Sequence, residues 1–239
     1  MKTKLLRKIL GWNAKTWSNP LYQALDKNKI NTNNILEIGA GHLSAISLLF
    51  YEEANKINIS YYPDQYNKDR LYMLEHTINE ILNLEKCSAE ILLNEMSIYE
   101  IAGKYDLIIM KSVLGGIFRE NGQEHDVEAL IKKIINENLN ENGSLITIDN
   151  GETVFEKYIK NFGARRGKWK TFKLSHFPSA DQQYFFGFLS LFSFTTRIGK
   201  IGQYLEDFLY ILDLIIFKII KIKKPSVILS YYKKSNLKS

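Results

Sequence analysis

The chain has a single cysteine, Cys87, among 239 residues. A lone thiol excludes an intramolecular disulfide framework and the Cys/His clusters that hold structural metals, and it fits a reducing compartment such as the cytosol. Only 4 prolines and 14 glycines punctuate the chain, so long disordered stretches are not expected. Charges interrupt every apolar run short of the ~20 residues that a membrane-spanning helix needs. The basic first ten residues lead into an apolar run too short and too broken for a signal peptide. Acidic residues are in deficit, 26 against 32 Lys and Arg, for a formal net charge of +6. The excess is densest at the ends, at Lys2, Lys4, Arg7 and Lys8 and at Lys218, Lys221, Lys223, Lys224, Lys233, Lys234 and Lys238. Such a distribution suits an anionic neighbouring surface and ordinary solvation equally.

What is present suffices for one large α/β domain, or one with an appended segment, at ~100–200 residues per domain. Residues 1–30 form a helical preface, with Trp12 and Trp17 as packing residues and Asn19-Pro20 as a break. Ile35–Ile38 is an apolar strand and Ala45–Glu53 has helical periodicity. Ile57–Tyr62 alternates as a strand, Asn67–Leu84 carries one apolar helical stripe, and Ala89–Leu93 is a short third strand. Tyr105–Met110 is a continuous apolar strand of the kind buried on both faces. Asp126–Asn138 is a helix, Glu141-Asn142-Gly143 a turn, and Ser144–Asp149 the next buried strand. Strands alternating with helices imply a doubly wound parallel sheet.

The most informative stretch is 35–44, Ile-Leu-Glu-Ile-Gly-Ala-Gly-His-Leu-Ser. It reads as a strand breaking into a glycine-rich turn and then a helix. Gly39 and Gly41 permit a tight turn and close ligand approach, and the helix that follows aims free N–H groups at the same place. The acidic Glu37 inside the strand argues against a diphosphate ligand, and no Gly-Lys-Ser/Thr follows that would form a P-loop.

An acidic residue, a glycine, any residue and a second glycine at the end of the first strand, here Glu37, Gly39, Ala40 and Gly41, resemble the signature of the class I (Rossmann-like) S-adenosylmethionine-dependent methyltransferases. Leu43 stands where many family members have a third glycine. The alternation of elements matches the family from about residue 33 to 150. The resemblance implies a mostly parallel seven-stranded sheet with helices on both faces and an apolar helical insertion before the last strand. Residues 31–239 then form the domain, with a lid insertion at about 177–224. It also implies S-adenosylmethionine as cofactor: Glu37 favours the cationic amino-acid end, Asp64 takes the ribose hydroxyls, and Glu95 and Met96 hold the adenine, with Asn94 a competitor. Lys111, at the end of the fourth strand, joins this set as a buried amine or is a snorkelling side chain.

The segment Lys111–Glu120 lacks the Asn/Asp-Pro-Pro-Tyr/Phe motif of family members that methylate planar nitrogens, which favours an oxygen acceptor. Removing a hydroxyl proton calls for a His or carboxylate at the strand ends, and the candidates are His125, Asp149 and His176. Each has a structural alternative: a solvent-exposed helix start, turn chemistry and a loop position. His42 lies in the cofactor turn, where it covers or contacts the cofactor. Arg165, Arg166, Lys168 and Trp169 form a basic-aromatic cluster that suits a phosphate, an anionic sugar or a solvated hairpin.

Asp181–Phe194 and Tyr204–Lys221 read as apolar helices, the second amphipathic with a broad apolar face. It is either a lid over the acceptor or an interfacial membrane helix, which makes 204–224 the candidate for peripheral contact at the inner face of a membrane. Ser226–Tyr232 is the last strand. The expected activity is methyl transfer to a small-molecule or glycan hydroxyl in bacterial polysaccharide or lipid-linked glycan synthesis. The alternative is a protein that keeps the fold and binds the cofactor without turnover. No nucleic-acid partner is expected, because no basic-aromatic module is evident.

Overall fold

Seven strands assemble into one sheet of order β3-β2-β1-β4-β5-β7-β6 in the computed structural model, which describes residues 2–10, 14–42, 44–62, 70–118, 123–152, 171–187, 200–219 and 225–237. The elements are α1 (Lys2–Leu10), α2 (Ala14–Asn28), β1 (Asn34–Ile38), a 3-10 turn (Ile46–Phe50), β2 (Lys56–Tyr61), α3 (Leu71–Leu82) and β3 (Glu90–Glu95). There follow β4 (Tyr105–Lys111), α4 (Leu114–Ile117), α5 (Glu124–Asn138), β5 (Leu139–Asn150), a 3-10 turn (Leu174–His176), β6 (Gln182–Phe186), α6 (Lys200–Ile219), β7 (Val227–Lys233) and a last 3-10 turn (Lys234–Leu237). Strands β1 to β5 pair in parallel, β7 is antiparallel to β5, and β6 is antiparallel to β7. This is the mostly parallel Rossmann-like sheet that the alternation of elements implies.

The two-sided burial of the strands follows from their residues. Leu107 and Ile109 of β4 join one core and Ile108 and Met110 the other, all fully buried. On one face α1, α2, the Ile46–Phe50 turn and α3 cover the sheet through Leu21, Ala24, Ile46, Leu48, Leu74 and Ile78. On the other, α4 and α5 contribute Leu114, Val127, Ile131 and Ile134, joined by Phe172, Phe177 and Tyr232. Each such side chain is worth ~1.5–3 kcal/mol of burial, so the preface is part of the core.

Several local expectations give way to tertiary contacts. Asn19-Pro20 does not break the preface: Pro20 lies inside α2 and is buried, its lost backbone hydrogen bond offset by packing. Residues 182–186, expected as the start of a helix, form β6. They pair with β7 from Gln182↔Tyr231 to Phe186↔Val227, and Gln182 donates to Asn28 Oδ1 at 2.8 Å. Strand pairing there overrides a helix-like apolar run. Glu141-Asn142-Gly143 is not a turn but a stretch of β5 beside a register shift between Tyr105 and Leu107. The helix expected over 45–53 is the shorter 3-10 turn, and the second apolar helix spans Lys200–Ile219. The remainder of the first, residues 188–194, lies outside the described residues.

Gly151, just past β5, is packed so tightly that a Cβ would sit 2.1 Å from the carbonyl oxygen of Pro225. Gly151→Ala should therefore lower stability by about 3 kcal/mol, seen as a lower urea midpoint at unchanged denaturant slope.

Candidate functional site

The strand order reverses between β1 and β4, and ligands of open α/β sheets bind beyond the carboxyl ends of the strands at such a reversal. The glycine-rich turn leaves β1 at this point. Gly39 has φ +68°, and a Cβ on it would come within 2.9 Å of Val113 Cγ2. The glycine thus lets the segment after β4 close against the turn after β1. Ser112, beside Val113, takes φ 58° while its N–H donates to Ile148 O at 2.7 Å. A non-glycine residue in the left-handed region next to a ligand edge is a strained element held by its surroundings.

The turn's own donors are spent internally. Gly39 N–H donates to Ser60 Oγ at 3.2 Å, Ala40 N–H to Ser60 O at 2.9 Å, and Gly41 N–H to Ser44 Oγ at 2.7 Å. The free helix N–H groups expected here are absent too: those of Ile46 and Ser47 donate to the two carboxylate oxygens of Glu37 at 2.9 and 2.8 Å. Glu37 is fully buried. Both of its oxygens hold the backbone after the turn. Burial pushes its pKa up to about 7, restrained by those amides and by Lys111.

Lys111 ends β4 as a buried amine and does not snorkel. Its ammonium stands over the Trp17 ring of α2, 4.3 Å from the centroid, and burial lowers its pKa to about 8 against the attraction of Glu37 and Asp149. Asp149 is 1% exposed near the end of β5. No donor meets hydrogen-bond geometry at either of its oxygens. Burial raises its pKa to about 7, opposed by the nearby amides of Gly115 and Leu114, by Thr147 and by Lys111. The hydroxyls of Thr147, Ser230 and Tyr232 are likewise buried, Thr147 acting on Asp149 and Ser230 on Tyr232. Glu37, Lys111 and Asp149 thus form one charged cluster beneath the strand ends.

The other candidates are distributed unevenly. His42 sits in the turn, its Nδ1 buried without a partner and its pKa lowered by burial and by Arg70. Glu95 and Met96 stand at the carboxyl end of β3, where Met96 N–H donates to Tyr61 O at 3.1 Å; Asn94 and Glu95 are exposed. His176 accepts from Lys173 N–H through Nδ1 at 3.3 Å and stands edge-on to Phe172. His125 is exposed on the first turn of α5. Asp64, Leu43 and the Arg165–Trp169 cluster lie outside the described residues. A cavity of ≈ 350 Å³ lies beyond β5, lined by Glu152, Phe172, Leu174, Pro225 and Ile228 and not by the glycine turn. Trp17, Ser60 and Ser112 are the site residues that sequence reasoning missed. Trp17 read only as a packing residue, and nothing in the residue pattern marks a serine as a backbone partner across strands.

No protein-family model matches the sequence, and no curated protein matches it. Solved structures do. Coclaurine N-methyltransferase bound to N-methylheliamine and SAH superposes with TM-score 0.54 at 14% identity, covering 97% of this chain and 81% of that one. A putative sarcosine dimethylglycine methyltransferase from Galdieria sulphuraria gives TM-score 0.55 at 13% identity, covering 93% and 87%. An S-adenosylmethionine-dependent methyltransferase from Clostridium acetobutylicum is similar at 17% identity and TM-score 0.43, and the chain spans 58% of that protein. The fold is that of the class I, Rossmann-like methyltransferases.

Two predictions follow from the buried charges. Glu37→Ala leaves the buried Ser47 amide without an acceptor and Ile46 N–H with Ser44 O alone and should cost about 1–3 kcal/mol, with Glu37→Gln, which keeps one acceptor, in between; urea denaturation ranks the three. Glu37 and Asp149 have folded pKa values near 7, above their unfolded values of 4.5 and 3.8. Their contribution to stability is therefore greatest at low pH and is lost as pH rises toward about 7. Asp149→Asn should flatten that part of the stability–pH curve, and a curve parallel to wild type would refute the assignment.

Proposed function

We propose that the chain is an S-adenosylmethionine-dependent methyltransferase that modifies a hydroxyl group of a small molecule or glycan. One observation carries the reading: at the reversal of strand order, the glycine turn has the Gly39, Ala40 and Gly41 amides bonded to Ser60 and Ser44. Those three amides offer a phosphate no free donor. It suits a ligand that presents an ammonium, a sulfonium and a ribose instead. The unpartnered Nδ1 of His42 supports the same fit as a partner for an ammonium or hydroxyl group.

Gly39, Ala40, Gly41, Asp64, Glu95, Met96 and Lys111 are the residues we assign to the cofactor. Glu37 acts through the backbone it holds. When bound, S-adenosylmethionine supplies a methyl group activated by its sulfonium. The chain's own task is to orient the acceptor oxygen and receive its proton. Asp149, raised to about 7, is matched to that task at neutral pH, and a positioned base contributes about 10²–10⁴ in rate. Lys111, close enough to act on Asp149, stabilises its charged form. The cavity beyond β5 is the acceptor side in this reading, since Ile228, the cross-strand neighbour of Asp149, lines it. The absence of an Asn/Asp-Pro-Pro-Tyr/Phe motif after β4 favours oxygen over nitrogen. The lysine-rich ends suit an acceptor in polysaccharide or lipid-linked glycan synthesis at the inner face of a membrane. The near-complete burial of Asp149 favours a second reading, cofactor binding without turnover.

Saturating S-adenosylmethionine or its demethylated product should stabilise the protein, by about 2.7 kcal/mol at one hundred times Kd. An unchanged melting temperature would sink the cofactor assignment, and Gly39→Val should abolish the shift. Transfer of labelled methyl to hydroxyl-bearing glycans, slowed about 10²-fold or more by Asp149→Asn with binding intact, supports the base. Transfer to amines would overturn the oxygen acceptor, and binding without transfer to any acceptor selects the second reading.

A further inference from the structure

Strands β5 and β7 place a row of polar side chains inside the apolar core beneath α5. Leu145, Thr147 and Asp149 alternate onto one face of β5, and their antiparallel partners Tyr232, Ser230 and Ile228 lie on the same face. There Leu145, Ile228 and Tyr232 pack with Val127, Leu130 and Ile131 of α5. Thr147, Asp149, Ser230 and Tyr232 are all buried. Apolar residues would fill these positions without the cost of taking hydroxyls and a carboxyl out of water. The polar groups follow one another without a gap. Thr147 acts on Asp149 through its hydroxyl. Ser230 is directly opposite Thr147, a placement that brings Cβ atoms to about 5 Å. Ser230 in turn acts on Tyr232, two residues along the same face of β7. Glu128 of α5 acts on Tyr232 more strongly than Asp149 or Asp181 does. The oxygens of Asp181 already accept from Lys233 N–H and the Asn236 amide, so Glu128 is the carboxylate that ends the row. Its oxygens are shielded from solvent, yet its side chain is 14% exposed and stands 3.9 Å from that of Lys132, which is 54% exposed.

Methyl transfer to a hydroxyl leaves a proton to be disposed of. As the bond between the methyl carbon and the acceptor oxygen forms, the methyl–sulfur bond and the acceptor's O–H bond break, and the proton moves to Asp149. Asp149 is too deeply buried to hand that proton directly to water, and a base that keeps its proton works once. A hydroxyl both donates and accepts, and its hydrogen turns about the C–O bond to suit either neighbour. We infer that Thr147, Ser230 and Tyr232 form a proton relay that carries the acceptor's proton from Asp149 to Glu128 at the edge of α5. Each hydroxyl receives one proton and passes its own on: Asp149 to Thr147, Thr147 to Ser230, Ser230 to Tyr232, and Tyr232 to the Glu128 carboxylate. A turn of the Glu128 side chain then delivers the proton to water beside Lys132. No hydroxyl is left charged. Burial raises the pKa of Tyr232, so it transmits one proton in exchange for another and is not left as a phenolate. The relay rests on the base assigned above only for the proton's origin, and with it the burial of Asp149 is compatible with turnover.

The relay is tested on the full chain, without cofactor or acceptor, by the rate at which the protonated Asp149 carboxyl exchanges its hydrogen for deuterium. Below its pKa of about 7 that carboxyl is mostly protonated. Rapid mixing into deuterium oxide shifts its infrared carbonyl band, which the difference from Asp149→Asn identifies. Tyr232→Phe, Thr147→Val and Glu128→Gln should each slow the exchange at least about tenfold, the cost in rate of one lost hydrogen-bonded step. Because the steps run in series, Thr147→Val combined with Tyr232→Phe should be no slower than the slower of the two alone. Tyr231→Phe removes a hydroxyl from the adjacent position on the other face of β7 and should leave the rate unchanged. A merely structural loss would loosen the core and speed the exchange. Unchanged or faster exchange in Tyr232→Phe or in Glu128→Gln overturns the inference, and so does equal slowing by Tyr231→Phe. The cofactor's effect on the melting temperature is read separately. Exchange that ignores the row therefore leaves the methyltransferase reading standing, and absence of methyl transfer leaves the proton path standing.

Discussion

The site depends on a carboxylate that never meets solvent. Glu37 receives the amides of Ile46 and Ser47 from inside the protein, and this pair of bonds fixes how the chain leaves the glycine turn and re-enters the core. A backbone donor left unpaired in a core costs about 1–3 kcal/mol, so the Ser47 amide depends on the carboxylate, while Ile46 also donates to Ser44 O at 2.9 Å. With Ser60 holding Gly39 and Ala40 from β2, the turn is clamped from both sides before any ligand arrives. A rigid, self-satisfied turn is a shaped surface. His42 Nδ1 is left unpaired beside it.

The clamp has an electrostatic consequence. Burying Glu37 is unfavourable unless a positive charge answers it, and Lys111 does so from the end of β4 while its ammonium rests on the Trp17 ring. Lys111 in turn acts on Asp149, so three ionisable groups from three adjacent strands share one low-dielectric space. Groups so coupled exchange protons near neutral pH, which is the condition that acid-base chemistry requires. A purely structural core would be better served by apolar residues of the same size. The preface helix α2 completes the cluster by supplying the aromatic face, and it is also the platform on which α6 is fixed. The covering layer and the charged site are therefore built on the same helix.

The strands were legible because fully buried parallel strands are short continuous apolar runs, as Tyr105–Met110 illustrates, and the glycine turn was legible because few residues can follow a strand with φ near +68°. The switch from strand to helix periodicity located β1 to β4 within about two residues, while β5 begins at Leu139, ahead of the expected Ser144. Local pattern failed where partners distant in sequence decided the outcome. Gln182–Phe186 looked helical until β7 offered it a ladder of backbone bonds. Pro20 looked like a stop until the sheet buried it.

The same division runs through the site. From the order of its residues alone, this chain determined an α/β sheet with a glycine turn at the end of its first strand, because glycine, acid and apolar run act within a few bonds of one another. Which atoms that acid would meet, the pairing of Lys111 with Trp17 from a segment almost one hundred residues earlier, and the burial of Asp149 but not of His125 were decided only by the tertiary structure. Burial and through-space charge depend on neighbours that the chain brings together by folding, and no local pattern carries them.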